Sequence, residues 1–176
     1  MNAKKGNMQA RTIAKIATLT ASIGAASIIA VPSAHAQTQQ QVGAKEDCAI
    51  MVDRNGNVNS QRCSNDPKVL KDFSANATVI IRLFDLPDFG GAATTIYGDG
   101  DGCDFAGYRI KDLGHWNNRA SSFLTGNGCN AANIHNDSNF LDYGTGFRNP
   151  GAHSIVQPFM PPGFDNNVQS IALWRM

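Results

Sequence analysis

The chain has 176 residues, with 15 basic and 14 acidic side chains and a formal net charge of +1. This length is typical of one domain that buries a core of its own. The near balance of charge, without a cluster of Lys or Arg, excludes the electrostatic pattern of a protein that binds nucleic acid or anionic membranes.

Residues 1–36 have the pattern of a secretory signal peptide. Four basic residues precede an apolar run over Ile16–Val31, and Pro32 and the small-residue exit Ala34-His35-Ala36 follow it. Thr and Ser residues interrupt the run, so a membrane span is not predicted. We expect cleavage after Ala36 and secretion to the periplasm or the medium. The mature chain then keeps eleven basic and fourteen acidic residues, a formal charge of −3.

The composition after Ala36 favours turns over helices. There are thirteen Asp, fifteen Asn and fifteen Gly, against one Glu and four Lys. Helix formers are therefore scarce and turn formers abundant, which predicts a mostly β chain with many tight turns. Asp and Asn also supply the hard oxygen ligands that calcium prefers, so each such residue is open to either interpretation.

The four cysteines predict two disulfides, because their number is even and the chain is expected to be exported. Three pairings are possible. We favour Cys48 with Cys63, since this pair brackets an Asn-Gly hairpin turn within Asp53–Asn57, and Cys103 with Cys129, which lie in one later unit. No C-x-x-C spacing occurs, so these cysteines do not predict a metal site.

The chain after the signal peptide is predicted to have two parts. Residues 37–76 would form a Gln-rich tether and then a small disulfide-closed hairpin with a polar connection, and the main domain would cover residues 77–176. Thr78–Phe84 and Ser170–Trp174 have the composition of strands. The short apolar pieces between them have the spacing of an antiparallel sandwich, and no helix of three turns is predicted.

An internal repeat divides the main domain. In Phe84–Gly91 two aromatics lie five residues apart and a Gly follows two residues later, and the motif Asn117–Ser122 comes further along. His135–Asp142 repeats the first spacing in weaker form, and Asn166–Ile171 repeats the second. Two units of roughly 50 residues, each too short to bury its own face, predict a two-sheet sandwich.

These motifs resemble those of the βγ-crystallin superfamily. The first hairpin resembles its aromatic-x4-aromatic-x-Gly Greek key, and Asn117–Ser122 matches its calcium motif, Asn/Asp-Asn/Asp-x-x-Ser/Thr-Ser. In the second unit His135 replaces an aromatic, Asp142 replaces the Gly, and Ile171 replaces the last Ser. The resemblance covers residues 77–176, is nearest in style to secreted bacterial members, and implies an all-β Greek-key sandwich of two units.

The resemblance also implies two calcium sites at one end of the sandwich, where the two units exchange ligands. The first site would use the Arg119 carbonyl, the Ser121 hydroxyl and a side chain from Asn166-Asn167. The second would use the Val168 carbonyl, the Ser170 hydroxyl and a side chain from Asn117-Asn118. Backbone carbonyls near Asp85 and Asn136, on the two hairpins, would complete the shells.

The asparagines bring neutral oxygens, and calcium affinity falls with the charge of the ligands. We therefore expect weak binding, in the roughly micromolar to millimolar range. The alternative is that the same Asn and Ser residues make and cap turns without any metal.

Several other motifs do not predict a metal site or a catalytic site. Gly98–Asp104 and Asp53–Asn57 fail the EF-hand pattern and are interpreted as turns. Enzymatic activity is not expected, since there is no nucleophile elbow or zinc-protease motif, and the only Glu after the signal peptide is Glu46. The histidines His115, His135 and His153 lack ligand spacing.

A rival function comes from a second group with the same crystallin-like fold, the inhibitors of extracellular metalloproteases. Gln157–Phe164 is apolar and contains three prolines, which fits a rigid loop presented to a protease. It fits an ordinary connection between strands as well. A surface-binding protein that uses exposed aromatics is a third possibility, which the sequence does not separate from these two.

Overall fold

The computed structural model describes residues 46–176, so the predicted signal peptide and tether lie outside the described residues. The described chain forms ten strands, one α-helix and three 3₁₀ turns. The strands are β1 (Asp47–Val52), β2 (Val58–Ser64), β3 (Thr78–Phe84), β4 (Ala93–Gly98), β5 (Tyr108–Ile110), β6 (Ser122–Thr125), β7 (Ala131–His135), β8 (Gly144–Arg148), β9 (Val156–Gln157) and β10 (Ser170–Trp174). Helix α1 covers Pro67–Phe73, and the 3₁₀ turns cover Pro87–Phe89, Gly114–Trp116 and Ser138–Phe140.

The strands form two sheets that interlock the two units. The larger sheet has the order β2-β1-β4-β3-β6-β9 and the smaller one β5-β10-β7-β8. The third strand of each unit, β5 or β9, therefore joins the sheet formed by the other unit's strands. This arrangement confirms the predicted two-sheet Greek-key sandwich.

The core contains the apolar side chains of both units. Its largest fully buried members are Trp116, Tyr108, Phe123, Ile80, Ile81, Leu83, Ile96, Ile110, Leu113, Ile134, Ile171 and Leu173. Burying such side chains is worth roughly 1.5–3 kcal/mol each. Since β5 and β9 cross between the sheets, neither unit completes its own core.

The N-terminal hairpin is an extension of the larger sheet, because β1 pairs in parallel with β4. The Cys48–Cys63 disulfide joins direct cross-strand partners of β1 and β2. The Cys103–Cys129 disulfide ties the loop before β5 to the segment before β7. Both predicted pairings are confirmed. The polar connection after the hairpin contains α1, which Asp66 caps by accepting from the Lys68 amide at 2.9 Å.

The turn of this hairpin reaches the smaller sheet. Gly56 is buried at φ +78°, and a β-carbon there would lie 1.6 Å from the Arg109 carbonyl oxygen in β5. The Arg109 amide donates to the Arg54 carbonyl at 3.3 Å. The Arg54 guanidinium lies 4.6 Å from the centre of the Tyr108 ring and 2.9 Å from an Asp104 oxygen. The hairpin therefore contacts both sheets at one edge of the sandwich.

Candidate functional site

The two predicted folded hairpins are present and alike. The rings of Phe84 and Phe89 meet edge to face with centres 5.5 Å apart, and those of His135 and Phe140 do so at 5.4 Å. Phe89 and Phe140 both have left-handed backbones. His135 therefore occupies the position of the first aromatic and makes its ring contact. The duplication inferred from the weaker second spacing is confirmed.

One serine from each unit holds its folded hairpin. The Ser122 hydroxyl donates to the Leu86 carbonyl at 2.7 Å and accepts from the Phe89 amide at 3.0 Å. The Ser170 hydroxyl donates to the Asp137 carbonyl at 2.6 Å and accepts from the Phe140 amide at 3.2 Å. Both serines are fully buried. Ser170 is therefore the counterpart of Ser122.

This equivalence corrects the alignment of the second calcium motif by one residue. Asn117–Ser122 corresponds to Asp165–Ser170, and not to Asn166–Ile171. The predicted Ser170 ligand is thus the hairpin serine, and Gln169 takes the place of Ser121. Likewise the counterpart of Arg119 is Asn167 instead of Val168. The Asn-Asn pairs misled the alignment because Asn167 directly follows Asn166, which is the structural counterpart of Asn118.

The structure brings the two loops together through their backbones. The Asn118 amide donates to the Val168 carbonyl at 2.9 Å, and the Asn166 amide donates to the Ala120 carbonyl at 3.0 Å. Asn118 and Asn166 have left-handed backbones, with φ of 59° and 51°. The loops that were predicted to exchange ligands are therefore direct neighbours, related by an approximate twofold pattern.

Each loop presents a polar side chain beside its hairpin. Ser121 is 2% exposed, its amide donates to the Phe84 carbonyl at 2.8 Å, and its hydroxyl forms no hydrogen bond within residues 46–176. The Gln169 amide donates to the His135 carbonyl at 2.9 Å, and its side-chain oxygen accepts from the Ser138 hydroxyl at 3.2 Å. Equivalent backbone bonds thus hold Ser121 and Gln169 in equivalent positions.

The asparagine side chains differ in availability. The Asn117 oxygen accepts from the Leu113 amide at 3.1 Å, so it belongs to its own turn. The Asn167 amide group donates to the Gly163 carbonyl at 3.0 Å, which leaves its oxygen without a protein donor among the described residues. Asn118 is exposed and its side chain makes no hydrogen bond in the described chain. Of the first pair, Asn118 is therefore the better candidate ligand.

The two sites differ in charge. An Arg119 nitrogen lies 3.3 Å from an Asp85 oxygen, whose side chain is 6% exposed, and the guanidinium lies 4.2 Å from the centre of the Trp116 ring. In the second unit the corresponding residues are Asn136 and Asn167, both neutral. The Asn136 side-chain oxygen is buried and has no hydrogen-bond partner in the described part of the chain. The first site thus contains a neutralised ion pair and the second contains no charge at these positions.

Carboxylate-rich metal chemistry is not found here. Within residues 46–176 no three His, Cys, Asp or Glu side chains come together as a metal-binding group. A cation at these loops would be held by carbonyl, hydroxyl and amide oxygens, a donor set suited to calcium.

No helix of the described residues is long and apolar enough to cross a membrane.

The sequence alignment missed Asp165 and Gln169. Their positions follow from the starts of the strands, since β6 begins at Ser122 and β10 at Ser170, each followed by buried apolar residues. Aligning the two strands instead of the two Asn-Asn pairs gives the register that the structure shows.

No protein-family model matches the chain, and no curated protein matches its sequence. Among solved structures, it is similar to a βγ-crystallin domain from Flavobacterium johnsoniae, with 16% identity over 55% of this chain and 94% of that one, at a TM-score of 0.38. It is similar to a double mutant of a βγ-crystallin domain from Clostridium beijerinckii, with 12% identity, 55% and 98% coverage and a TM-score of 0.39. The third is a βγ-crystallin from Ciona intestinalis, with 19% identity, 53% and 96% coverage and a TM-score of 0.33.

The strand order and the duplicated hairpins define the fold. Two Greek-key units interlock as a two-sheet sandwich, each with a folded hairpin closed by a ring pair and a serine. This architecture is the duplicated Greek-key sandwich that the resemblance of the motifs to the βγ-crystallin superfamily implies.

Proposed function

We propose that this protein is a secreted, non-enzymatic calcium-binding protein, in which calcium links the two loops and stabilises the fold. One observation supports it above the others. The reciprocal bonds of Asn118 with Val168 and of Asn166 with Ala120 place the two loops side by side. A calcium ion bound between them would be coordinated by neutral oxygens of both loops, and this cross-link would favour the folded state.

The first site would use the Arg119 carbonyl, the Ser121 hydroxyl and a side chain from Asn166-Asn167. No residue of the described chain forms a hydrogen bond with the Ser121 hydroxyl, so its oxygen can accept a cation. The second site would use the Asn167 carbonyl and the Gln169 side-chain oxygen, with Asn118 reaching across. Hairpin carbonyls near Asp85 and Asn136 remain the proposed completing ligands.

Both sites should be weak. Arg119 already compensates the Asp85 carboxylate, and the other proposed ligands are neutral. Calcium affinity rises with the number of charged ligands, and extracellular modules of low charge bind in the range of about 10⁻⁴–10⁻³ M. Such sites are filled at millimolar calcium. Since the unfolded chain lacks them, calcium raises stability by RT ln(1 + [Ca]/Kd) for each site.

Calorimetric titration and thermal melting of the chelator-treated protein test the proposal. We expect heat of binding and a rise in Tm at millimolar calcium, and Ser121→Ala should weaken the first site. Ser60→Ala, in the hairpin strand β2, is the control and should leave binding unchanged. Absence of both heat and a Tm shift at 10 mM calcium would exclude calcium binding of this kind.

Determining the N-terminal residue of the mature protein tests secretion. We expect the exported protein, recovered from the medium or the periplasm, to begin at Gln37. Recovery of the uncut chain from the cytoplasm alone would contradict secretion, and it would leave the calcium test unaffected.

One observation favours the inhibitor of extracellular metalloproteases as a second candidate. Phe159 is 53% exposed, while its neighbours are fixed: the Asp88 amide donates to the Pro158 carbonyl at 2.9 Å, and the Met160 amide donates to the Ser121 carbonyl at 2.9 Å. A held loop with a projecting aromatic suits a protease subsite. Inhibition of a thermolysin-like enzyme that Phe159→Ala removes and Leu141→Ala preserves would support it, and no inhibition at micromolar concentration would refute it.

A further inference from the structure

The outer face of the smaller sheet carries a groove that the calcium loops do not share. We call it the outer groove, with a volume of about 300 Å³, lined chiefly by Phe105, Ala106, Arg109, Asn133, Ala172 and Trp174. Arg109, Ala172 and Asn133 are direct cross-strand partners on β5, β10 and β7. The small side chain of Ala172 lies between the larger polar side chains of Arg109 and Asn133 and forms the floor of the groove. Its volume is at the low end of ligand pockets, about 300–1,000 Å³.

Two aromatic side chains flank the outer groove. Phe105, in the loop before β5, is 85% exposed. Trp174, at the end of β10, is half-buried, and the Arg148 guanidinium lies 4.4 Å from the centre of its indole ring. Arg148 is fixed in turn by donating to the Ala132 carbonyl at 3.0 Å and to the Asn133 side-chain oxygen at 3.3 Å. The indole is therefore held in one orientation, as a binding platform requires.

The outer groove is positively charged. Arg109 is exposed, and neither it nor Arg148 forms an ion pair with any described residue. The nearby Asp104 is engaged by Arg54 at 2.9 Å and by the Gly107 amide at 2.8 Å. A guanidinium presents a planar fork of donors that matches a carboxylate with two hydrogen bonds. Arg109 is thus an open carboxylate-binding group beside two aromatic surfaces.

We propose that the outer groove binds an acidic oligosaccharide of the uronic-acid type. A sugar ring has an apolar face of C–H groups that packs on an aromatic ring, which Phe105 and Trp174 provide. Its hydroxyls pair with planar amide groups, of which Asn133 supplies one. Its carboxylate pairs with Arg109. A nucleic acid would need a longer run of basic residues along its phosphates. The groove is lined by one guanidinium group, that of Arg109, and Arg148 lies beside it on the Trp174 ring.

Titration of the purified protein with oligogalacturonate tests the proposal, with a neutral oligosaccharide of equal length as the comparison. Chelator is present throughout, so that failure of the calcium proposal does not alter the result. We expect saturable binding of the acidic sugar, weaker binding by about tenfold in Arg109→Gln and in Phe105→Ala, and loss of affinity with added salt. Arg62→Gln and Leu141→Ala are exposed matched controls, and both should bind as the parent does.

Three results would overturn the proposal. Equal binding of the neutral sugar would show that Arg109 does not recognise a carboxylate. Unchanged affinity in both groove variants would show that the sugar binds outside the outer groove. Preference for single-stranded DNA over the acidic sugar would show that the ligand is a nucleic acid. Because Phe105 is so exposed, its variant is expected to fold, and an unchanged Tm confirms that a loss of binding is local.

Discussion

Ser122 and Ser170 occupy the same position in the two units, 48 residues apart. Each lies at the start of a buried strand and each closes a folded hairpin with one donated and one accepted hydrogen bond. The two hydroxyls are fully buried, so neither bond is exchanged for water in the folded protein.

Replacing either serine should therefore destabilise the protein measurably. Ser122→Ala leaves the Leu86 carbonyl and the Phe89 amide without this partner, and we expect a loss of about 1–3 kcal/mol in the free energy of unfolding. Ser170→Ala should cost a similar amount. Urea denaturation measures both, with Ser60→Ala as the control. A change below the experimental error in both variants would show that the hairpins close without the serines.

The corrected alignment predicts a gain in calcium affinity. Gln169→Ser gives the second loop the Ser that the first loop has at position 121, and a smaller hydroxyl ligand should tighten the second site. Gln61→Ser, on the exposed strand β2, is the control. Calorimetry should show a lower Kd for one site in Gln169→Ser alone. An unchanged Kd would contradict the assignment of Gln169 to the ligand position.

Gly56 allows the hairpin turn to contact β5. In Gly56→Ala the new methyl group overlaps the Arg109 carbonyl, and the positive φ adds strain, so we expect a loss beyond about 4 kcal/mol. Gly151→Ala is a matched control, since its φ is +85° and, apart from its two chain neighbours, no described residue has an atom within 4 Å of the new β-carbon. The control should lose only about 1–2 kcal/mol from the backbone. Equal losses in thermal unfolding would mean that the contact with β5 contributes nothing.

Stability should fall in alkaline solution because of Tyr108. Burial raises the pKa of Tyr108, against the smaller effect of the Arg54 guanidinium. Since the folded-state pKa lies above the unfolded value of about 10, the contribution is complete below that pH and is lost as the pH rises through the folded pKa. Measuring Tm from pH 8 to 11 should show a shallower decline in Tyr108→Phe than in the parent. Tyr143→Phe, whose ring is 71% exposed, should match the parent.

Much of the fold was predictable because apolar runs and turn residues in the sequence coincide with the strands and turns of the structure. The apolar run Thr78–Phe84 and the segment Ser170–Trp174 are strands, and the Asn-Gly turn lies within the disulfide-closed hairpin. The helix at Pro67–Phe73 was missed because it is two turns long and has no buried residues. An amphipathic pattern needs a longer buried stripe to appear in a sequence.

The candidate site was less predictable. Residue identity at the Asn-Asn pairs favoured one alignment, whereas burial of the serines and the starts of the strands fix another. The sequence placed His135 at the position of the first aromatic of the hairpin, but its edge-to-face contact with the Phe140 ring needed the structure. The Arg119–Asp85 pair joins residues far apart in the chain and depends on the loop lying against the hairpin.

The N-terminal hairpin has a further consequence for the larger sheet. Without it, β4 would be an edge strand with four of its six residues buried in the present structure, and its free backbone groups would be open to pairing with another molecule. The hairpin moves that edge to β2, whose residues are mostly exposed and polar. Its disulfide keeps the covering strand in place, so the same hairpin, Asp47–Ser64, that extends the sheet also protects the protein against aggregation through that edge.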